Sequence, residues 1–265
     1  MTGLTPSPLI DAVAPPPVAL ASLAVVLGDE QPKAHELEEV VRNDPGLMVR
    51  LLAVANSAAY ARGAPITDVR RAIVRLGVRE ACQLALALSS GFLAAPLAQY
   101  GGSLWRSSLY TAVVAERLGQ VLKIRRAGTL YTAGLLCDVG KLAIEASGRE
   151  LVPDASASFL EVEHRAVGTD HARLSGELLA AWGLPDDLVD LVTHHHDPRS
   201  ARQVRLALAL HLADAVVRQV VAEGVDALSH EVSPLVARGL GLPSSVLDLA
   251  VLRASDFFQS IDEVM

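Results

Sequence analysis

Apolar residues along this chain recur at intervals of three and four, and no stretch alternates strictly between apolar and polar positions. That period belongs to helices and not to half-buried strands. Helices are therefore predicted near Val18 to Leu27, Ala34 to Arg42 and from Pro45 onward. In "NDPGLMVRLLAVANSAAY", Asp44 stands at an N-cap and Pro45 suits the first turn. Leu47, Leu51 and Ala55 then share a face, with Met48 and Leu52 beside them. In "ITDVRRAIVRLG", Thr67 is read as the cap. Val69, Ile73 and Leu76 form the stripe, and Gly77 ends the helix before the next one, Val78 to Ser89. "AAPLAQYGGS" concentrates Pro, Gly and polar residues, and a lobe boundary is placed there, between Ala94 and Ser103. Further helices are predicted near Leu104 to Leu122, Ala127 to Leu136, His171 to Trp182, Pro185 to His194, Val204 to Ala222 and Ser244 to Ser260. Leu51, Leu52, Ile73, Leu76, Leu135, Leu178 and Trp182 fall on the apolar faces and are the expected core. The expected fold is all-α: residues 1–14 loosely ordered, 15–100 one helical lobe and 101–265 a second.

Composition sharpens this picture. Of 265 residues 51% are hydrophobic but only 4% aromatic, so the core must consist mainly of Leu, Val and Ala, which favours close-packed helices. The net charge of -7 argues against sequence-independent binding to nucleic acid or to an anionic membrane. Arg70-Arg71 and Arg125-Arg126 are too short to make a phosphate track. The longest apolar run, "ACQLALALSSGFLAAPLA", is broken by Gln83, Ser89, Ser90, Gly91 and Pro96, which reads as a buried helix and not a membrane span. Two cysteines without CxxC spacing and a proline-broken opening without a basic segment point to a reducing cytoplasm and no secretory signal.

The polar residues of the second half fall at helix ends or on particular helix faces. Asp138 follows the helix ending at Leu136, and Lys141 stands three residues later in "LYTAGLLCDVGKLAI". His171 opens a helix. His194, His195 and His196 close another in "VTHHHDP", and successive helical residues point about 100° apart, so the three cannot all face one ion. His211, Asp214 and Arg218 share one face of the "HLADAVVR" helix. Each has an ordinary reading: a capping residue, a histidine cluster at a helix dipole's negative end, an i,i+4 ion pair. Together they bring imidazole and carboxylate, the ligand types of Zn, Mn or Fe, from four separate helices.

The order of these motifs resembles the HD superfamily of metal-dependent phosphohydrolases. The first half, "VVRNDPGLMVRLLAVANSAAY" followed by "ITDVRRAIVRLG", narrows this to HDOD domains, the HD-related output domains of bacterial signalling proteins. The resemblance runs from about Pro15 to Asp256. It implies a C-terminal lobe with a degenerate HD-like fold. Ser107 takes the position of the first histidine of the pattern. Cys137 takes the histidine of the His-Asp doublet, and Asp138 its aspartate. Lys141 matches a lysine often found after the doublet. His171 matches the later histidine, and His195 and His196 match the pair, leaving His194 as an extra. Asp214 matches the last aspartate. The glycine expected four residues after His171 is Ser175, with Gly176 next. Serine is a poor ligand, and a cysteine thiolate changes the ligand class. No "GYP"-type stretch follows "HHHDP", which disfavours the cyclic di-GMP phosphodiesterase variant.

The resemblance thus implies a non-catalytic signal-transduction module that binds a signalling protein or a small ligand, with a vestigial metal site and no required cofactor. The alternative is a divergent metal phosphohydrolase acting on a nucleotide or phosphoester. Asp138, His171, His195, His196 and Asp214 would be its reduced ligand set for a weakly held Zn, Mn or Fe, with Lys141, His194 and His211 as nearby polar groups. "NDPG" and "NSAAY" are expected to be structural, with Asn56 bonded to the loop leading to Ile66.

Overall fold

The computed structural model describes residues 7–60, 64–100 and 104–223, with side chains to residue 218 in the last helix. The predicted helix Ser244 to Ser260 lies outside the described residues. All regular structure among the described residues is helical. The first lobe comprises α1 (Val18–Gly28), α2 (Ala34–Arg42), α3 (Pro45–Asn56), α4 (Val69–Leu76) and α5 (Val78–Ser89). The second comprises α6 (Trp105–Val121), α7 (Ala127–Leu136), α8 (Gly140–Ala146), α9 (Phe159–Val167), α10 (His171–Ala181), α11 (Asp186–Thr193) and α12 (Val204–Glu223). The connection between lobes carries two 3-10 turns, Gly91–Ala94 and Ala98–Tyr100.

Local chemistry sets most helix ends. The Asp44 carboxylate accepts from the Leu47 amide at 2.9 Å, satisfying an orphan donor of α3. At α4 the cap is Asp68, not Thr67: the helix starts at Val69, and the Asp68 carboxylate accepts from the Arg71 amide at 3.1 Å. Thr67 stands one residue outside. Gly77, at φ +84°, ends α4 and opens α5 in a left-handed conformation that favours glycine. Asn56 holds the loop after α3 as its position suggests. Its amide donates to the Ile66 carbonyl at 2.8 Å, and its oxygen accepts from the Ile66 N–H at 2.8 Å. Two helices lie where no helix is predicted. Short α8 follows the Asp138 turn, and α9 begins in a capping box formed by Ser158 and Glu161.

The two lobes share one continuous apolar core. Leu51, Ile73, Leu76, Leu135 and Leu178 are buried in it as expected. Leu52 and Trp182 are only half-buried. Leu52 is turned by one helical step from Leu51, and Trp182 caps α10 at the periphery, edge-on to Phe92 at 5.9 Å. α1 reaches across to the second lobe at Gly128, where a Cβ would lie 2.0 Å from the Leu27 carbonyl oxygen, so only glycine permits this approach. Polar bonds reinforce the junction: Arg126 donates to the Gly28 carbonyl at 3.1 Å, and Arg79 and Gln83 both donate to buried Glu116. The opening segment, expected to be loose, forms a 3-10 turn over Pro8–Ala12. Ile10 is buried, and the Ser7 amide donates to Glu177 of α10 at 2.8 Å, which is the anchor that local sequence does not display.

Candidate functional site

The site grows from the turn between α7 and α8. Cys137 and Asp138 occupy that turn, and α8 is pressed against the first turn of α10. A Cβ at Gly140 would lie 2.2 Å from the His171 carbonyl oxygen, and the Gly140 amide donates to the Ser175 hydroxyl at 2.8 Å. Ser175, standing where the family pattern expects glycine, thus fastens α8 to α10. Lys141 follows on α8 with its ammonium 2.8 Å from Asp138 Oδ2. It also lies 5.6 Å from the Tyr100 ring centroid.

His171 is the hub. Its ring Nε2 is 3.2 Å from Asp138 Oδ1 and 2.9 Å from His196 Nε2. On its other side, the backbone amide and ring Nδ1 both meet Glu163 Oε2 of α9, at 2.8 and 2.7 Å. Tyr100, from the connection between lobes, donates its hydroxyl to Glu163 Oε1 at 3.0 Å. Glu163 and Tyr100 are the residues that sequence reasoning missed. The Ser158-x-x-Glu161 capping box would have revealed α9, but nothing local marks Glu163 as its inward-facing residue.

Electrostatics assign the protons. Burial alone would lower the His171 imidazole, but the nearby carboxylates of Asp138 and Glu163 raise it to about 9, so it is an imidazolium at neutral pH. Burial tends to raise the Asp138 carboxyl, yet Lys141 and His171 hold it well below the usual carboxylate range. Lys141 in turn is raised by Asp138 against its own burial. Burial, His195 and His171 lower His196 to about 2, so its neutral Nε2 accepts from His171. Burial and the His171 charge lower His195 to about 3. Neutral His195 donates through Nδ1 to the Val192 carbonyl at 2.7 Å, which leaves a buried Nε2 lone pair without a hydrogen-bond partner. Asp214 is 4.0 Å from His196 Nδ1 and 3.0 Å from Arg218. Burial and the Asp138 charge raise its carboxyl despite Arg218.

The structure therefore brings together Asp138, Lys141, His171, His195, His196 and Asp214. His211 supports from outside, donating Nδ1–H to the His195 carbonyl at 2.8 Å. His194 turns back to its own helix, 2.9 Å from the Asp190 carbonyl, and does not join. Ser107 does not join either, since its hydroxyl donates to the Leu104 carbonyl at 3.0 Å. Cys137 is buried at the cluster's edge. Its thiol faces the Gly134 carbonyl at 3.5 Å, and burial and Asp138 push it well above its ordinary value, so it is a neutral thiol.

Among the described residues, two overlapping donor sets have atoms within 4.8 Å of one another: His171, His195 and His196, and Cys137, Asp138 and His195. In these protonation states the residues would have to give up protons and an ion pair before they could hold a metal. Asp138 is already bound to an ammonium, His171 carries a proton on each nitrogen, and Cys137 is not a thiolate.

The HDOD domain family model matches residues 13–198. The chain belongs to the HDOD domain family. Asp214 lies beyond the matched residues. The HDOD chain is similar to an HDOD domain protein of unknown function from Geobacter sulfurreducens, with 21% identity and a TM-score of 0.69. The match covers 96% of this chain and 93% of that one. It is also similar to a protein of Shewanella amazonensis SB2B, provisionally named a phosphohydrolase, with 21% identity, a TM-score of 0.69 and 99% coverage of both chains. A third is a Marinobacter aquaeolei VT8 protein provisionally named for signal transduction, with 20% identity and a TM-score of 0.70. There 100% of this chain matches 63% of that one. These likenesses establish the fold. An uncharacterised protein of Treponema pallidum (strain Nichols) is 20% identical over 198 residues. The match takes 71% of this chain but spans only 38% of that relative's length. No helix among the described residues is long and apolar enough to cross a membrane.

Proposed function

We propose that this HDOD chain is a non-catalytic regulatory module of bacterial signal transduction, working in the cytoplasm by binding a signalling protein or a small ligand. The observation that carries the reading is the Lys141 ammonium seated 2.8 Å from Asp138. A dication would neutralise clustered carboxylates. Here Lys141, the His171 imidazolium and Arg218 stand against the carboxylates of Asp138, Glu163 and Asp214, three charges against three. The cluster is balanced without an ion, and it ties α8, α9, α10, α12 and the interlobe connection together. Such a network specifies one arrangement of helices, which suits a scaffold that presents surfaces to partners. Neither nucleic acid nor a membrane fits the acidic chain, and no cofactor is required.

The second reading, a divergent metal phosphohydrolase acting on a nucleotide or phosphoester, draws on three buried acceptor atoms of the cluster without a hydrogen-bond partner, His195 Nε2, Asp138 Oδ1 and Asp214 Oδ2. Elemental analysis of purified protein with a phosphodiesterase assay decides between them. The proposal expects well under one equivalent of Zn, Mn or Fe and no turnover. A full equivalent of metal, lost in Asp138→Ala together with activity, would establish the hydrolase instead.

A further inference from the structure

We infer that the groove between α1 and α2 is a docking surface for a basic amphipathic helix of a partner protein. α1 contains no charged residue from Val18 to Gly28. A helix apolar on every side is normally enclosed. Leu20, Leu23 and Leu27 are indeed buried, but Val18 is 92% and Val25 60% exposed. Val18, Ser22 and Val25 follow one another at four- and three-residue spacing, so they form one outward stripe. Val40 of α2 faces the same groove, which encloses about 940 Å³.

The rim is mainly acidic. Asp29, Glu36, Glu39 and Asp44 line the groove, and no lysine or arginine does. Lys33 pairs with Glu36 at 3.1 Å and the Asp44 carboxylate is engaged in capping α3. Asp29, whose carboxylate accepts from the Gln31 amide at 3.0 Å, and Glu39 add negative charge beside an apolar floor. An apolar stripe between carboxylates is complementary to a helix with apolar anchors at i, i+3, i+4 and i+7 flanked by Lys or Arg.

The charge pattern disfavours other occupants. The chain's own residues 224–265 carry six carboxylates against two arginines. A second copy brings a net charge of -7, and an anionic lipid surface would be repelled by the rim. The inference deepens the partner-binding reading by giving it a surface. Its test is independent of metal content, so failure at the groove and failure of the non-catalytic reading are separate results.

The probe is a fluorescein-labelled peptide of about 18 Leu and Lys residues, five helical turns with Leu on one face. Its counterpart carries Glu in place of Lys. Anisotropy is read with the full chain at about 0.15 M salt, where the screening length is about 8 Å. The Lys peptide should bind and the Glu peptide should not. Val25→Asp should weaken binding about tenfold or more, although it adds a negative charge. Non-specific attraction to an acidic protein would instead be unchanged or strengthened by Val25→Asp. Ser22→Lys, at a second exposed position on the stripe, should weaken binding similarly, with circular dichroism checking that both variants are folded. Absence of binding, equal binding of the Glu peptide, or undiminished binding by folded Val25→Asp would overturn the inference. So would a dimer in sedimentation equilibrium that Val25→Asp disperses, because the occupant would then be a second copy.

Discussion

Replacing Lys141 by Met tests whether an ammonium has taken the place of an ion. The side chains of Lys141 and Asp138 are only 12% and 10% exposed, at 2.8 Å from each other. At that distance, with an effective dielectric of about 20, the attraction is about 6 kcal/mol, most of it offset by desolvation of the two groups. Met keeps the length and apolar stem of Lys but leaves Asp138 facing His171 alone. Removing one member of a buried pair costs about 3–5 kcal/mol. For a protein of this size that corresponds to a fall in Tm of about 6–20 °C. Asp138→Leu should cost a comparable amount by stranding Lys141. The double variant should lose less than the sum, with a coupling of about 2–3 kcal/mol. Thermal melts and urea titrations of the four proteins at pH 7 give the cycle. A loss below about 0.5 kcal/mol for Lys141→Met, the scale of an ordinary surface site, would refute the buried pair. Additive single and double losses would refute the direct interaction.

Two further outcomes are expected. The His171 imidazole is raised to about 9 in the folded protein from an ordinary value near 6.5. Its contribution to stability is therefore fully present below about pH 6.5 and lost as pH rises through about 9, to the extent of about 3 kcal/mol. Urea titrations between pH 6.5 and 9.5 should show this loss, and Glu163→Gln should shrink it by removing one of the two carboxylates; an identical slope in both proteins would contradict the assignment. At α4, Asp68→Ala should cost about 1 kcal/mol and Thr67→Ala a few tenths at most, read as urea midpoints, and the reverse ranking would restore Thr67 as the cap.

Much of the fold was legible because helix formation is local. Apolar spacing, Asp44 with Pro45, and Gly77 act within a turn or two of themselves, so α1 to α7 and α10 to α12 could be read from their own residues. Asn56 was legible for the same reason, since its partner Ile66 is only ten residues away. Thr67 and Asp68 are adjacent capping residues, and which one caps depends on where the backbone leaves its extended conformation, a choice that pattern alone does not make. Short α8 is too brief to show a period, and α9 escaped although its capping box was in plain view.

Within the site, the sequence by itself determined which residues could meet: Asp138 and Lys141 three apart, His171 at a helix start, and at most part of the His194–His196 run toward one point. Only the tertiary structure decided the rest. His195 and His196 turn inward because the chain leaves α11 at His194, whose ring returns to Asp190. Ser107 turns to its own helix. Glu163 and Tyr100 enter from elements 8 and 71 residues before His171, and nothing in their own surroundings marks them. Local spacing sets which face a side chain occupies. Proximity between faces exists only once the helices have packed, and with it come the carboxylates of Asp138 and Glu163 that keep the proton on His171 and the desolvation that removes protons from His195 and His196.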